Sequence, residues 1–196
     1  MSAGGEPRRR RRVPVGAIVL LVLALGALGF AAYLALTFKL YRVPQAGMYP
    51  TIAAGDLVVA RRSPYASVND IARGDIVVFE TEKEGKRFDY VFRVVGLPNE
   101  RIAIVDDVLV IDDVRLGRER LRSERDKAIY SERAGNLTYS IALPEPASDP
   151  KWSTMKERKL GPDEVFLMCD NRHASYDSRE LGPVKLDRIV GRVVWP

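Results

Sequence analysis

The hydrophobic and polar positions divide the chain into a basic tail, one long apolar stretch and a region of short apolar runs. Residues 13–38 contain no charged side chain. A helix needs about 20 predominantly apolar residues to cross a bilayer, whereas the apolar part of a cleaved signal peptide spans only about 7–15. The pattern therefore predicts an uncleaved transmembrane helix over residues 13–38, preceded by a tail over residues 1–12.

Beyond this stretch, apolar residues fall into short β-branched runs separated by glycines and charged turns. Such runs, without a long amphipathic helical pattern, are typical of a mainly β domain. The runs lie at residues 56–60, 75–79, 90–95, 102–105, 108–111, 165–169 and 189–195. We expect a twisted β core built from residues 42–111 and 162–195.

Residues 112–161 differ from the runs on either side. Arg, Glu and Asp are dense over residues 115–133, and prolines follow at positions 144, 146 and 150. Apolar alternation is weak outside residues 137–143. The segment therefore predicts an insertion, partly strand and partly loop, at the edge of the core.

Much of the net charge of +5 comes from the tail, where residues 8–12 are all arginine. Basic residues that flank a membrane span stay on the cytoplasmic side. This predicts a single-pass protein of the plasma (inner) membrane, in contact with its lipid bilayer, with a cytoplasmic N-terminus and an extracytoplasmic domain over residues 39–196. An arginine-rich tail that binds nucleic acid or anionic lipid is an alternative, although we expect no nucleic-acid partner.

Four segments of the domain carry recognisable motifs. They are residues 45–51 (Gln-Ala-Gly-Met-Tyr-Pro-Thr), 73–79 (Arg-Gly-Asp-Ile-Val-Val-Phe), 90–98 (Tyr-Val-Phe-Arg-Val-Val-Gly-Leu-Pro) and 169–182, which begins Cys-Asp-Asn-Arg. In this order and spacing they resemble the conserved boxes of the type I signal peptidases, the membrane-anchored Ser/Lys endopeptidases of family S26. The resemblance implies a signal-peptidase-like β domain with one N-terminal transmembrane helix, and a variable subdomain where residues 112–161 lie.

Both reacting groups of that family are replaced in this chain. The family places its serine directly before the Met of Met-x-Pro-Thr, where this chain has Gly47. It places its lysine directly before the Arg of Arg-Val-x-Gly-Leu-Pro, where this chain has Phe92. A Ser/Lys dyad needs a hydroxyl that attacks and an amine held neutral to accept its proton. Because Gly and Phe provide neither, the resemblance implies a homologue without an intact catalytic pair.

The rest of the motif set is retained. The residues that match the family boxes, and that we expect to frame the former active site, are Met48, Pro50, Thr51, Arg93, Asp170, Asn171, Arg172, Ser175, Asp177, Ser178 and Arg179. Within this set, Asp177 and Arg179 are interpreted as a structural ion pair. Gln45 stands where the family tends to have Ser or Gly, which changes the expected oxyanion-binding geometry.

No other residue is a convincing substitute for the catalytic pair. Thr51 is expected to bond backbone in its turn, and Cys169, the sole cysteine, follows an apolar run and predicts a buried, inert thiol. His173 is the only histidine, and its neighbours Asp170 and Ser175 lie too close in sequence for a triad, whose members normally come from separate elements. These residues also lack metal-ligand spacing, so we expect neither a metal nor a cofactor.

Three functions remain open. The first is a membrane-anchored signal peptidase homologue without peptidase activity, which binds exported preproteins or partners with an active signal peptidase. The second is an active signal peptidase whose catalytic groups lie elsewhere in the chain. The third is the membrane protein that binds nucleic acid or anionic lipid through its basic tail.

Overall fold

The computed structural model describes residues 14–83, 85–146, 150–174 and 176–195, in two units that separate after Thr37. The first unit contains helix α1, Val15–Thr37. Its 23 residues extend for about 35 Å, enough to cross the hydrocarbon core of a bilayer. The helix ends at Thr37 because Phe38 already pairs with Arg61 in a sheet. The predicted tail, residues 1–12, lies outside the described residues.

The second unit is mainly β, as predicted, and its strands are short. In chain order they are β1 Phe38–Arg42, β2 Leu57–Arg62, β3 Ile76–Lys83, β4 Lys86–Gly96, β5 Arg101–Val105, β6 Val108–Ile111, β7 Val114–Arg115, β8 Gly117–Glu124, β9 Lys127–Ala134, β10 Leu137–Pro144, β11 Met155–Lys159, β12 Glu164–Met168, β13 Val184–Lys185 and β14 Ile189–Trp195. One short helix, α2, covers Ser178–Leu181.

These strands form three sheets. The largest has seven strands in the order β1-β2-β14-β3-β4-β12-β13, a second has the order β11-β5-β6-β7, and a third has the order β10-β9-β8. Every named strand pair is antiparallel. The tight turn predicted at Asp106 and Asp107 is present, with both residues at positive φ (52° and 63°).

Two hydrophobic cores share the β4–β12 strand pair as a common wall. Val94 and Leu167 belong to the core of the large sheet, whereas Val95 and Phe166 face the core of the β5–β6 sheet. Because side chains of a strand point alternately to its two faces, one pair of buried strands supplies both cores.

The expected β core over residues 42–111 and 162–195 is divided between two sheets. Strands β5 and β6 leave the large sheet and pair with β7 and β11, both of which come from the segment read as an insertion. The remainder of that segment forms the three-stranded sheet β8–β10. Apolar runs predicted β5 and β6, and residues 137–143 predicted part of the insertion as strand, but such patterns do not specify which strands pair.

Candidate functional site

A groove of about 550 Å³ opens on the domain, and residues of two distant motifs line it. One wall is the segment from Tyr41 to Met48, which includes Gly47. The other wall is formed by residues 88–92 of β4, which include Phe92. Gly47 and Phe92, the two positions that the family resemblance singled out, therefore lie at the same groove, although they are far apart in sequence.

Both strands beside the groove have a free edge within the described part of the chain. Strand β1 pairs with β2 alone, and β4 pairs with β12 only from Arg93 onward, so its preceding residues bond to β3 alone. At one point the two strands are bridged by Lys39, whose Nζ lies 3.3 Å from Asp89 Oδ2. Free strand edges offer unpaired N–H and C=O groups to an added extended segment.

The turn that contains Gly47 is held in place by Asn171. Residues Ala46–Met48 form one turn of 3-10 helix. The backbone N–H of Asn171 donates to Gly47 O at 2.9 Å, and its side-chain Nδ2 donates to Ala46 O at 3.0 Å. Met48 is buried beneath the turn. The backbone and the side chain of Asn171, a residue of another motif, thus hold this turn in place.

Asp170 forms a buried ion pair with Arg93, the neighbour of Phe92. Arg93 Nε donates to Asp170 Oδ1 at 2.8 Å, and Nη2 donates to Oδ2 at 2.7 Å. Thr51 Oγ1 donates to the same carboxylate at 2.5 Å and accepts from Arg93 Nη2 at 3.2 Å. The expectation that Thr51 bonds backbone is therefore wrong, because its hydroxyl completes this charged pair.

Arg172 reaches a second buried acid that sequence reasoning missed. Its two terminal nitrogens donate to the carboxylate of Glu132 on β9, which also accepts from Tyr139 Oη at 2.6 Å. Burial lowers the pKa of the Arg172 guanidinium, but the charge and hydrogen bonds of Glu132, together with Tyr139 and Asp170, outweigh burial and the net pKa is raised. Burial, followed by the charge of Glu132, raises the pKa of the Tyr139 hydroxyl. The residues next to Glu132 in sequence do not indicate that it belongs to this site, because its partner Arg172 lies 40 residues away.

Asp177 and Arg179 form the structural ion pair that the sequence suggested. Arg179 Nε and Nη2 each donate to Asp177 at 2.8 Å, and Asp177 also accepts the backbone N–H of Cys169 at 3.0 Å. Ser178 Oγ accepts the N–H of Leu167 at 3.0 Å. These bonds attach helix α2 to strand β12 and to the residue that follows it.

Cys169 is fully buried, which confirms the prediction of an enclosed thiol. Its Sγ donates to Asn171 O at 2.9 Å. Burial, and then the charge of Asp177, raises the pKa of the thiol. A thiol that is both enclosed and held protonated is a poor nucleophile.

Phe92 packs within an aromatic row rather than projecting freely into the groove. Its ring centroid lies 5.6 Å from that of Phe79 and 5.7 Å from that of Tyr90. Only 3% of Phe92 is exposed. The surroundings of position 92 are therefore apolar and enclosed, which is what a neutral lysine would require. The phenylalanine at this position, however, has no proton acceptor.

The described residues that line the groove include no Ser, Thr, Cys, Lys or His. His173 Nε2 instead lies 2.9 Å from Asp107 Oδ1, so this histidine pairs with the β5–β6 turn and not with Asp170. Ser175, a candidate frame residue, lies outside the described residues. Among the residues searched, no cluster of three His, Cys, Asp or Glu side chains has the geometry of a metal site.

Comparison with known proteins identifies the family. The family model described as "Signal peptidase, peptidase S26" matches residues 15–196, which is nearly the whole chain. The chain belongs to the signal peptidase S26 family.

Curated relatives agree with this assignment. Signal peptidase I of Bacillus caldolyticus is 34% identical over 162 residues, covering 81% of this chain and 80% of the relative. Signal peptidase I T of Bacillus subtilis is 34% identical over 157 residues, covering 79% of this chain and 70% of the relative. A solved signal peptidase I from Enterococcus faecalis is 25% identical and covers 62% of this chain and 95% of its own, with a TM-score of 0.37.

Proposed function

We propose that this S26 family member is a membrane-anchored, non-catalytic protein that binds extended segments of exported preproteins in its groove. The observation that carries the proposal is that Gly47 and Phe92 line one groove. These are the positions at which the family resemblance places the nucleophile and the general base. The scaffold would then retain the binding site of a peptidase without the groups that cleave.

The chemistry of the two side chains supports the loss of activity. Hydrolysis by a Ser/Lys mechanism requires an oxygen that attacks the scissile carbonyl and an amine that takes the proton from that oxygen. Glycine has no side-chain atom at all, and phenylalanine cannot accept a proton. Because the members of a catalytic unit act together, loss of either one alone removes most of the rate.

The geometry of the groove supports peptide binding. The free edges of β1 and β4 can bond the backbone of an extended segment, which is the strand-addition mode of peptide recognition. Exposed aromatic side chains, including Phe88 and Tyr176, offer apolar contacts along the same groove. The buried Arg93–Asp170 pair and the Asn171 bonds hold both walls in place without any catalytic group.

An active signal peptidase is the second candidate, because the relatives that match this chain are named as signal peptidases. It would need a nucleophile other than position 47. Thr51 already bonds Asp170 and Arg93, and Cys169 is enclosed and bonded to Asn171. Neither is free to attack a peptide in the groove, so the non-catalytic proposal is favoured.

The test is processing of a purified preprotein by four matched proteins: the natural chain, Gly47→Ser, Phe92→Lys and the double variant. We expect no cleavage by the natural chain or by either single variant, because serine without a base is a weak nucleophile. The double variant should regain partial cleavage at the signal-peptide junction, limited by Gln45 beside the oxyanion position. Robust cleavage by the natural chain, purified from cells and shown free of other peptidases, would overturn the proposal.

Peptide binding is measured in a separate experiment, so that the absence of cleavage can be distinguished from the absence of binding in the groove. A fluorescently labelled synthetic signal peptide is titrated with the natural chain in detergent micelles and followed by fluorescence anisotropy. Saturable binding is expected, with competition by the unlabelled peptide. If the peptide neither binds nor is cleaved, the binding half of the proposal is wrong.

A further inference from the structure

An ion pair connects the two strands that border the groove. Lys39 on β1 places its Nζ 3.3 Å from Asp89 Oδ2 on β4, and Asp89 lines the groove. Among the described residues no backbone ladder joins these two strands, because β1 pairs with β2 whereas β4 pairs with β3 and β12. At this point the two strands are therefore joined across the groove by side chains.

The pair lies where a bound segment would extend. In the strand-addition mode, a peptide bonds to the free edges of β1 and β4 and so lies between them. Tyr41 and Asp89 line the groove, and Lys39 precedes Tyr41 by two residues on β1. A peptide that runs along β1 beyond Tyr41 therefore meets the Lys39–Asp89 pair, and it has to displace the pair in order to bond both edges.

The contacts of Lys39 allow it to leave Asp89 at low cost. The side chains of Lys39 and Asp89 are 41% and 32% exposed, and exposed ion pairs of this kind shift an equilibrium by about fivefold or less. The Lys39 ammonium also lies 4.3 Å from the centre of the Tyr41 ring on its own strand. This cation–π contact does not require Asp89, so Lys39 keeps a partner when the ion pair opens.

The surroundings of Asp89 favour the closed arrangement when the groove is empty. Glu80 lies directly opposite Asp89 in the β3–β4 pair, and like charges in this position repel one another. Arg87 Nη1 lies 3.7 Å from Glu80 Oε1, but 75% of the Arg87 side chain is exposed, so it offsets this repulsion only in part. In the described part of the chain, Lys39 is the cation that pairs with Asp89.

We propose that the Lys39–Asp89 pair, here called the groove clasp, closes the empty groove and opens to admit an extended segment. The ligand in this inference rests on the proposed function, whereas the closed state is a property of the empty groove. Because only the open fraction is competent to bind, the clasp lowers the apparent affinity for a peptide. Salt screens an exposed ion pair, so high ionic strength should open the clasp.

The first measurement needs no peptide. Val91 lines the groove and is partly buried, so Val91→Cys in the full chain reports access to the groove by its rate of alkylation with N-ethylmaleimide in detergent micelles. Cys169, the only natural cysteine, is fully buried. Adding Asp89→Asn or Lys39→Met should each raise the rate roughly two- to fivefold. These two changes alter the charge near the thiol in opposite directions, so an increase in both reports opening of the clasp and not a change in thiol reactivity.

Asp163→Asn in the same Val91→Cys background is the matched control. It removes an exposed ion pair, in which Lys185 Nζ lies 3.8 Å from Asp163 Oδ2, and neither residue lines the groove. The alkylation rate should not change in this variant. Salt at about 0.5 M should accelerate alkylation where the clasp is intact, but not where Asp89→Asn has removed it. If neither clasp variant is alkylated faster than the control, the pair does not close the groove and the proposal is wrong.

The second measurement is peptide binding by the natural chain, Asp89→Asn and Lys39→Met. A fluorescently labelled peptide that carries the apolar part of a signal peptide and no charged residue is titrated with each protein and followed by anisotropy. Both variants should bind roughly two- to fivefold more tightly than the natural chain. Unchanged or weaker binding would overturn the proposal, because the pair would then not oppose a ligand. If alkylation accelerates in both variants and no protein binds the peptide, the clasp is supported and the proposed ligand of the groove is wrong.

Discussion

At the scale of single residues, three consecutive side chains of one motif connect three different parts of the domain. Asp170 bonds Arg93 on β4, Asn171 bonds the turn at Ala46 and Gly47, and Arg172 bonds Glu132 on β9. Asp170, Asn171 and Arg172 are all buried, so their charged and polar groups need partners within the protein. The retained motif therefore has a structural role in this chain that does not require catalysis.

This role predicts a large cost for removing the acid opposite Arg172. Glu132→Gln leaves a buried guanidinium without its counter-charge, and we expect a loss of about 3–5 kcal/mol in the free energy of unfolding. Glu157→Gln is the control, because Glu157 pairs with Arg101 in a half-exposed position at 3.6 Å and should cost less than about 1 kcal/mol. Urea unfolding in micelles, followed by tryptophan emission, measures both. Similar losses in the two variants would contradict the assigned role.

At the scale of elements, the decisive strand is β4. It carries Phe92 at the groove, supplies Arg93 to the buried ion pair and forms part of the wall between the two cores. Gly96 ends it against the core of the β5–β6 sheet, where a Cβ at position 96 would lie 2.8 Å from Phe166 Cβ and 2.9 Å from Ile102 Cδ1. A side chain at this position would push the cores apart.

We therefore expect Gly96→Ala to destabilise the domain by about 1–3 kcal/mol through overpacking. Gly117→Ala is the matched control, because the nearest atom to a Cβ at position 117 is Arg133 Nε at 3.5 Å, an ordinary contact. Thermal unfolding by circular dichroism in the same micelles compares the two. A Gly96→Ala protein as stable as the Gly117→Ala protein would mean that the sheets adjust without strain.

At the scale of the whole molecule, the distribution of charge and hydrophobicity predicts an orientation of the chain in the membrane. Five consecutive arginines at residues 8–12 precede an apolar helix of 23 residues, and the large β domain follows it. A basic flank keeps its side of the span in the cytoplasm. With this orientation, the groove would lie outside the cytoplasm.

The corresponding prediction concerns cells whose plasma membrane is accessible from outside. Protease added to these cells should digest the domain over residues 39–196. An epitope tag at the N-terminus should survive until the membrane is permeabilised. Replacing the five arginines of residues 8–12 with glutamate should reduce the fraction of molecules in this orientation, because the bias is set by basic residues. A domain that stays fully protected in intact cells would reverse the proposed topology.

The sequence by itself determined those features that depend on local composition. An uncharged stretch of this length indicates a helix that is long and apolar enough to cross a membrane, and short β-branched runs indicate strands. The motif residues also indicated the family, and Gly47 and Phe92 stand out because they occupy the positions at which the family resemblance expects a serine and a lysine.

Only the tertiary structure determined the strand pairs and side-chain partners, because these depend on which segments of the chain are in contact. Strand alternation specifies a face but not a partner, so the pairing of β5 and β6 with β11 and β7 could not be predicted. Glu132 could not be matched to Arg172, nor Thr51 to Asp170, because partners 40 and 119 residues apart are related only by the fold. The same holds for the register shift between Val193 and Trp195 in β14, because one inserted residue reverses the face of a strand and only strand pairing reveals it.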